Sequence, residues 1–152
     1  MRHLINFLAT GCFVGKIPIA PGTAGTVVGV LLYLLIWPLP PILYVVTTVT
    51  FIFFAVWVST KAQEIYGEQD PREVVIDEIA GFLVTMAFHK YDVSLIIGGF
   101  ILFRIFDIVK PFPLRWIERR FLSGWGIVLD DVAAGIYANV ALWFVGFLLP
   151  NW

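Results

Sequence analysis

A run of 44 residues, from Ile17 to Thr60, contains no charged side chain. This run is about twice the roughly 20 residues that a helix needs to cross a bilayer. The segment from Trp37 to Pro41 interrupts it with three prolines, which remove helix donors and disfavour helix in the residue before them. The run therefore predicts a helical hairpin, with one span from Ala24, or nearer Pro21, to Trp37 and a second from Ile42 to Thr60.

The overall composition is that of a membrane protein. Hydrophobic residues make up 60% of the 152 residues and charged residues 14%, whereas soluble domains average about 25% charged. The length indicates a single domain over residues 1–152. The net charge of −1 argues against a nucleic-acid partner. The lone Cys12 excludes an internal disulfide, and the first fifteen residues show no cleavage site of a signal peptide.

Shorter patterns complete the predicted architecture. Asp70 and Pro71 are typical of an N-cap and a first helical residue, so a helix is expected to open there and run through Glu78. The apolar runs 79–88 and 93–103 are too short to span, which indicates a half-buried or re-entrant helical pair, or core helices. Pro111 and Pro113 should end the second of them near Lys110.

The last third of the chain predicts two further helices. Residues 112–129 mix arginines with large aromatics, as in a helix that lies in the headgroup region. Residues 132–149 carry no charge and form the third spanning candidate. The predicted fold class is therefore all-α: a multi-helical integral membrane protein with about three spanning helices, a half-buried helical pair and an interfacial helix.

Two adjacent pairs of carboxylates border apolar runs: Asp77 with Glu78, and Asp130 with Asp131. A bare charge at such a border costs several kcal/mol unless it is paired or bound to a metal. Carboxylates are the hard oxygen ligands that Mg²⁺ prefers, so these four residues are the candidate metal ligands. The alternative is that they are interfacial acids whose heads are solvated.

The two acidic pairs also begin similar segments. Residues 77–81 and 131–135 share the pattern Asp-x-x-Ala-Gly. Four residues along a helix is the same face, so Gly81 and Gly135 should each remove a side chain beside an aspartate and admit a neighbouring helix or a ligand.

Arg104, Asp107 and Lys110 recur every three residues, over roughly a third of a helix circumference. They could form an internal ladder of ion pairs. The alternative is that Asp107 orients or joins the metal cluster while Arg104 and Lys110 hold phosphate oxygens.

A segment rich in glycine and threonine, from Pro21 to Thr26, precedes the first span. Free backbone N–H groups, hydroxyls and the positive end of a helix dipole make it an anion site in outline. Thr23 and Thr26, with Lys16 nearby, are the candidate phosphate-binding residues. A plain N-cap role for Thr23 or Thr26 is the alternative.

The predicted topology places these groups together. If the hairpin returns to its starting side and the middle pair dips in and out, Lys16, both acidic pairs and the Arg104–Lys110 segment share one membrane face. Most of the lysines and arginines lie there too, so that face is expected to be cytoplasmic and Trp152 to lie outside.

Three familiar kinds of catalytic site are excluded. His3 and His89 are the two histidines, which makes a histidine-relay hydrolase improbable. Cys12 is followed six residues later by Pro18, where a cysteine phosphatase loop needs arginine. Residues 11–17 are one residue too short for a P-loop and end in Ile17, where Ser or Thr must reach magnesium.

Four segments together resemble the phosphatidylglycerophosphatase A family of small membrane lipid phosphatases. They are residues 15–26 (GKIPIAPGTAGT), 70–81 (DPREVVIDEIAG), 103–113 (FRIFDIVKPFP) and 126–135 (GIVLDDVAAG). Their order and spacing match along nearly the whole chain. Ile76, Val109 and Phe112 stand where family members often carry tryptophan, which bears on lipid contacts rather than on chemistry.

The resemblance implies hydrolysis of phosphatidylglycerophosphate to phosphatidylglycerol with Mg²⁺, at the cytoplasmic face of a bacterial inner membrane. The expected catalytic residues are Asp77, Glu78, Asp107 and Asp131. Metal-assisted attack by water is the inferred mechanism, with an aspartyl-phosphate route left open.

Other functions also stay open at this stage. They are a phosphatase of other lipid phosphomonoesters and a small ion transporter or membrane scaffold. A CDP-alcohol phosphotransferase is disfavoured because its Asp-Gly-x-x-Ala-Arg signature is absent. The partners expected are a phospholipid substrate and the bilayer, and the sequence indicates no oligomeric state.

Overall fold

The computed structural model of the chain describes residues 1–112, 114–121 and 123–148, and all side chains in those ranges except those of residues 117–119. These residues form helices and no strand, which confirms the all-α prediction. The helices are α1 (Arg2–Ala9), α2 (Pro21–Ile36), α3 (Pro41–Tyr66), α4 (Ile76–Thr85), α5 (Val93–Val109), α6 (Leu114–Arg120) and α7 (Gly124–Leu148), with a 3₁₀ turn at Val14–Lys16.

Within the described residues, α3 and α7 are the two helices long and apolar enough to cross a membrane. They have 26 and 25 residues, and only 33% and 28% of the most apolar 18-residue stretch of each are buried inside the protein. Large apolar side chains such as Phe53, Trp57 and Phe144 therefore face outward. The first predicted span, α2, has 16 residues, about 24 Å, which is shorter than the roughly 30 Å apolar core of a bilayer.

The prediction of a helix opening at Asp70–Pro71 is wrong. Residues 71–74 form a turn, in which the backbone N–H of Val74 donates to the carbonyl of Pro71 at 2.9 Å. The next N–H, of Val75, donates to the carbonyl of Ala9 at 2.9 Å. Because Val75 is tied to the end of α1, helical hydrogen bonding begins only afterwards, and α4 starts at Ile76.

The predicted boundary at residue 132 is also wrong. The interfacial segment ends as a helix at Arg120, and α7 already begins at Gly124. Gly124 lies against α3: its N–H donates to Thr60 Oγ1 at 3.2 Å, and a Cβ there would overlap the carbonyl of Val56. Asp130 and Asp131 therefore lie in the second turn of a long helix rather than at its border. The predicted end of that span, at Leu149, and the position of Trp152 lie outside the described residues.

The middle pair differs from its prediction in length, and the burial of α4 agrees with the core-helix alternative. The helix expected over 79–88 ends at Thr85, and α5 continues past residue 103 to Val109, with Lys110 as its C-cap. The end near Lys110 is thus confirmed. Eight of the ten residues of α4 are buried, because α2, α3, α5 and α7 all pack around it.

Contacts in its C-terminal half hold α4 in place. The Asn139 amide of α7 donates to the carbonyls of Thr85 and Ala87, both at 2.8 Å, at the C-terminal end of α4. The ring of Phe82 makes edge-on contacts with Tyr33 of α2 and Phe103 of α5, with centroids 6.4 Å apart in each case. The α4 helix is therefore the centre around which the other helices are arranged.

Glycines set the distance between α4 and α7. A Cβ on Gly135 would overlap the carbonyl oxygen of Gly81, and a Cβ on Gly81 would lie 2.7 Å from the carbonyl of Asp131. These are the two glycines of the repeated Asp-x-x-Ala-Gly pattern. The prediction that they admit a neighbouring helix is confirmed, and each admits the helix that carries the other.

Substituting Gly135 by alanine should therefore push α4 and α7 apart. We expect a loss of about 1–3 kcal/mol of unfolding free energy, the usual cost of overpacking a close contact. Thermal unfolding of the protein in detergent measures it. Gly146→Ala is the matched control, since nothing lies within 4 Å of a Cβ there, and a helical alanine is intrinsically favoured over glycine. Equal melting temperatures for the two variants would contradict the proposed packing.

Candidate active site

Four helix ends meet around a cavity of about 250 Å³. The N-terminal turns of α2, α4 and α7 and the C-terminal part of α5 form its walls. Six carboxylates and three cationic side chains line it, namely Asp70, Asp77, Glu78, Asp107, Asp130 and Asp131, with Arg72, Arg104 and Lys110. The structure thus gathers seven of the eight residues that the sequence placed on one face, and Lys16 is the exception.

Three of the carboxylates converge. Asp77 and Glu78 in the first turn of α4 and Asp131 of α7 each offer an oxygen atom, and these atoms lie within 4.8 Å of one another. Asp77 and Asp131 are 7% and 3% exposed. Their convergence follows from the Gly81–Gly135 contact, which lies one helical turn further along both helices.

Each of the three has a buried oxygen without a hydrogen-bond partner: Asp77 Oδ1, Glu78 Oε2 and Asp131 Oδ2. A buried, unpartnered carboxylate oxygen costs free energy unless a cation or donor compensates it. Burial, and then the Glu78 carboxylate, raises the pKa of Asp77 well above its ordinary value. Burial, and then the Asp131 carboxylate, raises the pKa of Glu78. Three such oxygens fit a divalent cation with a preference for hard oxygen ligands, such as Mg²⁺.

The cations of α5 pair with carboxylates of the cavity. Arg104 Nη1 lies 2.6 Å from Asp107 Oδ2 and 3.8 Å from Glu78 Oε1. Lys110 Nζ lies 2.5 Å from Asp130 Oδ2. The ladder alternative therefore describes only the pair within α5, because Lys110 reaches across to α7. Phosphate binding by Arg104 and Lys110 stays a prediction.

Asp130 and Asp107 differ from the three converging acids. Both line the cavity, but neither belongs to the group whose oxygens lie within 4.8 Å of one another. Asp130 accepts from Lys110, so its side chain positions a cation. Whether Asp130 also binds a metal, and whether Asp107 takes part in catalysis, remain predictions.

The glycine-rich start of α2 forms the opposite wall. A Cβ on Gly22 would overlap the Glu78 carboxylate and lie 3.0 Å from the Arg104 guanidinium nitrogens, so glycine is required for this approach. The Thr26 hydroxyl donates to the carbonyl of Gly22 at 2.9 Å within its own helix. Lys16 is exposed, with its Nζ 5.2 Å from the centre of the Phe13 ring. Neither Lys16, Thr23 nor Thr26 lines the described part of the cavity, and their phosphate-binding role stays a prediction.

Sequence reasoning missed two residues of the cavity, Asp70 and Arg72. The polar connection between α3 and α4 indicated only a solvated loop and an N-cap. Its density of charged residues was the available signal, but the turn at 71–74 that brings them to the cavity is held by the tertiary bond between Val75 and Ala9.

Comparisons with known proteins agree on one family. A family model described as phosphatidylglycerophosphatase A matches residues 7–146. The phosphatidylglycerophosphatase A of Escherichia coli (strain K12) is 34% identical over 151 residues, which is 99% of this chain and 88% of that protein. That of Haemophilus influenzae is 33% identical over 145 residues, 94% of this chain and 89% of that protein.

A further relative carries another name. A putative phosphatidylinositol-3-phosphatase of Bacteroides thetaiotaomicron is 37% identical over 151 residues, 91% of this chain and 94% of that protein. No solved structure matches the chain significantly.

The three converging acids predict that Asp131→Asn stabilises the protein when no divalent cation is present and weakens the stabilisation that Mg²⁺ gives. In EDTA, Asp131→Asn should raise the unfolding free energy by about 1–2 kcal/mol, because it removes one of three buried, mutually repelling carboxylates. Mg²⁺ at about 100 times its Kd should raise the melting temperature of the unsubstituted protein by roughly 5–10 °C, and that of the variant much less. Melting curves in detergent measure both effects.

The matched control is Glu64→Gln, at an exposed acid that pairs with Lys61 on the surface of α3. It should melt like the unsubstituted protein in both conditions. An equal rise with Mg²⁺ in Asp131→Asn would contradict a cation site at these residues.

Proposed function

The chain belongs to the phosphatidylglycerophosphatase A family, and we propose that, like the relatives of that name, it is a phosphoric monoester hydrolase that converts phosphatidylglycerophosphate to phosphatidylglycerol and phosphate. The observation that carries the proposal is the set of three unpartnered, buried carboxylate oxygens beside Arg104 and Lys110. Carboxylates alone would repel a phosphate. A divalent cation held by them would, together with Arg104 and Lys110, make the cavity suitable for a phosphomonoester.

Asp77, Glu78 and Asp131 would hold Mg²⁺ in this proposal. When bound, the ion supplies Lewis-acid neutralisation of charge on the phosphoryl oxygens and lowers the pKa of a bound water. The choice of Mg²⁺ rests on the oxygen-only donor set.

The chain's own residues bind and orient the phosphate. The pairs Arg104–Asp107 and Lys110–Asp130 fix two cations on the wall, so they can meet phosphate oxygens without first being ordered. The N-terminal turn of α2, at Pro21 and Gly22, presents the positive end of its dipole to the same space. In hydrolysis, water adds to phosphorus, the bond from phosphorus to the glycerol oxygen breaks, and that oxygen takes up a proton.

A second candidate substrate is favoured by one observation. The Bacteroides relative is named a putative phosphatidylinositol-3-phosphatase, which points to phosphatidylinositol 3-phosphate, and it is 37% identical. Both lipids carry a phosphomonoester on a hydroxylated headgroup, so the same cavity chemistry suits either. Two relatives and the family description favour phosphatidylglycerophosphate.

The non-enzymatic alternative is an ion transporter or scaffold. A conduction path would place acids along the middle of spans. The acids here gather at one end of the helices together with arginine and lysine, which favours phosphate chemistry.

We further propose that the protein lies in the bacterial inner membrane with the cavity at the cytoplasmic face. Two apolar helices support membrane insertion, and the lysine and arginine excess at the cavity end supports the orientation.

With three helices spanning the membrane, the N-terminus should lie in the cytoplasm and the C-terminus outside it. Fusions of a location-sensitive reporter before Met1 and after Trp152 measure the side of the membrane on which each terminus lies. Reporter activity at the C-terminus in the cytoplasm would contradict this topology.

Purified protein should release phosphate from phosphatidylglycerophosphate in mixed micelles, lose that activity in EDTA and regain it with Mg²⁺. Ca²⁺ should substitute poorly, because it is larger and less strictly octahedral. Asp77→Asn and Asp131→Asn should lower kcat by orders of magnitude. Phosphate release measures each effect.

One control variant and one phosphate-binding variant are compared with these two. Glu64→Gln should keep full activity, since its carboxylate is on the exposed surface of α3. Arg104→Ala should raise KM as well as lower kcat, because the ground-state phosphate already carries negative charge. Near-normal turnover by well-folded Asp77→Asn and Asp131→Asn would show that the proposed site is wrong.

A further inference from the structure

A second cavity, of about 260 Å³, adjoins the first one, which six carboxylates line and which we call the carboxylate cavity. Asp70 and Ile127 line both, so they form the boundary between the two. The walls of the second cavity come from Gln63 at the C-terminal end of α3, Gln69 in the loop that follows, and Ser123 at the start of α7. We call it the headgroup cavity.

Its chemistry differs from that of the first cavity. Among its described lining residues, Asp70 alone carries an ionisable side chain, so the headgroup cavity offers no attraction to a second anion. Two amides and a hydroxyl offer neutral donors and acceptors. Phe121 and Ile127 add apolar surface. This combination fits an uncharged, hydroxylated carbon skeleton.

The walls are held by bonds between the elements that form them. The Gln63 side-chain amide donates to the backbone carbonyl of Gln69, which ties the loop to α3. The N–H of Gly124 donates to Thr60 Oγ1, which ties the start of α7 to the same helix. The amide and the hydroxyl are therefore presented from elements that are fixed relative to one another.

The position and the chemistry of the headgroup cavity indicate which part of a substrate it can bind. A phosphomonoester bound in the carboxylate cavity must continue into neighbouring space through its ester oxygen and the carbon attached to it. In phosphatidylglycerophosphate the next carbon carries a free hydroxyl.

We propose that the headgroup cavity binds this glycerol portion of the substrate and that Gln69 and Ser123 recognise its free hydroxyl. The proposal rests on the proposed function and adds to it the residues that determine headgroup specificity.

The experiment compares two substrates that differ by that one hydroxyl: phosphatidylglycerophosphate, and its analogue in which a propane-1,3-diol replaces the headgroup glycerol. We expect the unsubstituted protein to hydrolyse the deoxy analogue about ten- to hundredfold less efficiently in kcat/KM, the range expected for two neutral hydrogen bonds, one to each residue. In Gln69→Ala or Ser123→Ala, kcat/KM for phosphatidylglycerophosphate should fall about three- to tenfold, the share of one hydrogen bond. Activity on the deoxy analogue should stay unchanged, so each variant should lose part of the discrimination and the double variant nearly all of it.

Thr50→Ala is the matched control, because it removes a hydroxyl from the exposed surface of α3, and it should keep the full discrimination. Ser123 Oγ also accepts from the N–H of Trp125 at 3.4 Å, so melting temperatures are recorded for every variant. The ratio between two substrates on the same enzyme does not depend on the fraction of enzyme that is folded.

The outcomes separate the two levels of proposal. Absence of hydrolysis of either substrate by the unsubstituted protein would overturn the proposed function. Hydrolysis without discrimination, discrimination that survives undiminished in both single variants and in the double variant, or an equal loss on both substrates would overturn the headgroup cavity while leaving the phosphatase function in place.

Discussion

The close approach of α4 and α7 at Gly81 and Gly135 is the contact on which the rest of the site depends. Without side chains at these positions, the two backbones meet at a distance that a Cβ would prevent. One turn earlier on each helix lie the acids that this approach brings together. A site built on two packed helices holds its geometry more precisely than one built on loops, so a steric feature of the core determines an electrostatic feature of the cavity.

Burial of the cavity carboxylates costs free energy, and neighbouring cations offset part of that cost. Arg104 and Lys110 offset part of the negative charge through Asp107 and Asp130, but Asp77, Glu78 and Asp131 keep unpartnered oxygens. A chain selected for stability alone would not bury them, since repulsion and desolvation both act against the ionised state. Such local instability is common at functional sites, and it is the physical reason for proposing that a cation and a phosphate complete the cavity.

The outward surface and the helix ends serve different needs. Along α3 and α7 large apolar side chains face outward, which suits a bilayer rather than water. At one end of the helices, polar groups line two cavities: the charged carboxylate cavity and the largely neutral headgroup cavity. The proposed lipid substrate has a terminal phosphate and then a hydroxylated linker in the same order, followed by a phosphodiester and apolar chains.

The sequence by itself determined the helical class, the apolar character, the end of α5 near Lys110 and the candidate acids, because hydropathy, proline and charge act over short stretches of chain. The repeated Asp-x-x-Ala-Gly pattern even indicated which glycines would admit a neighbour. Only the tertiary structure decided that α4 starts at Ile76, that α7 starts at Gly124, that Asp130 pairs with Lys110, and that Asp70 and Arg72 reach the cavity. Each of these depends on a bond or close contact between residues far apart in the chain, such as Val75 with Ala9 and Gly124 with Thr60, and a local pattern carries no information about such partners.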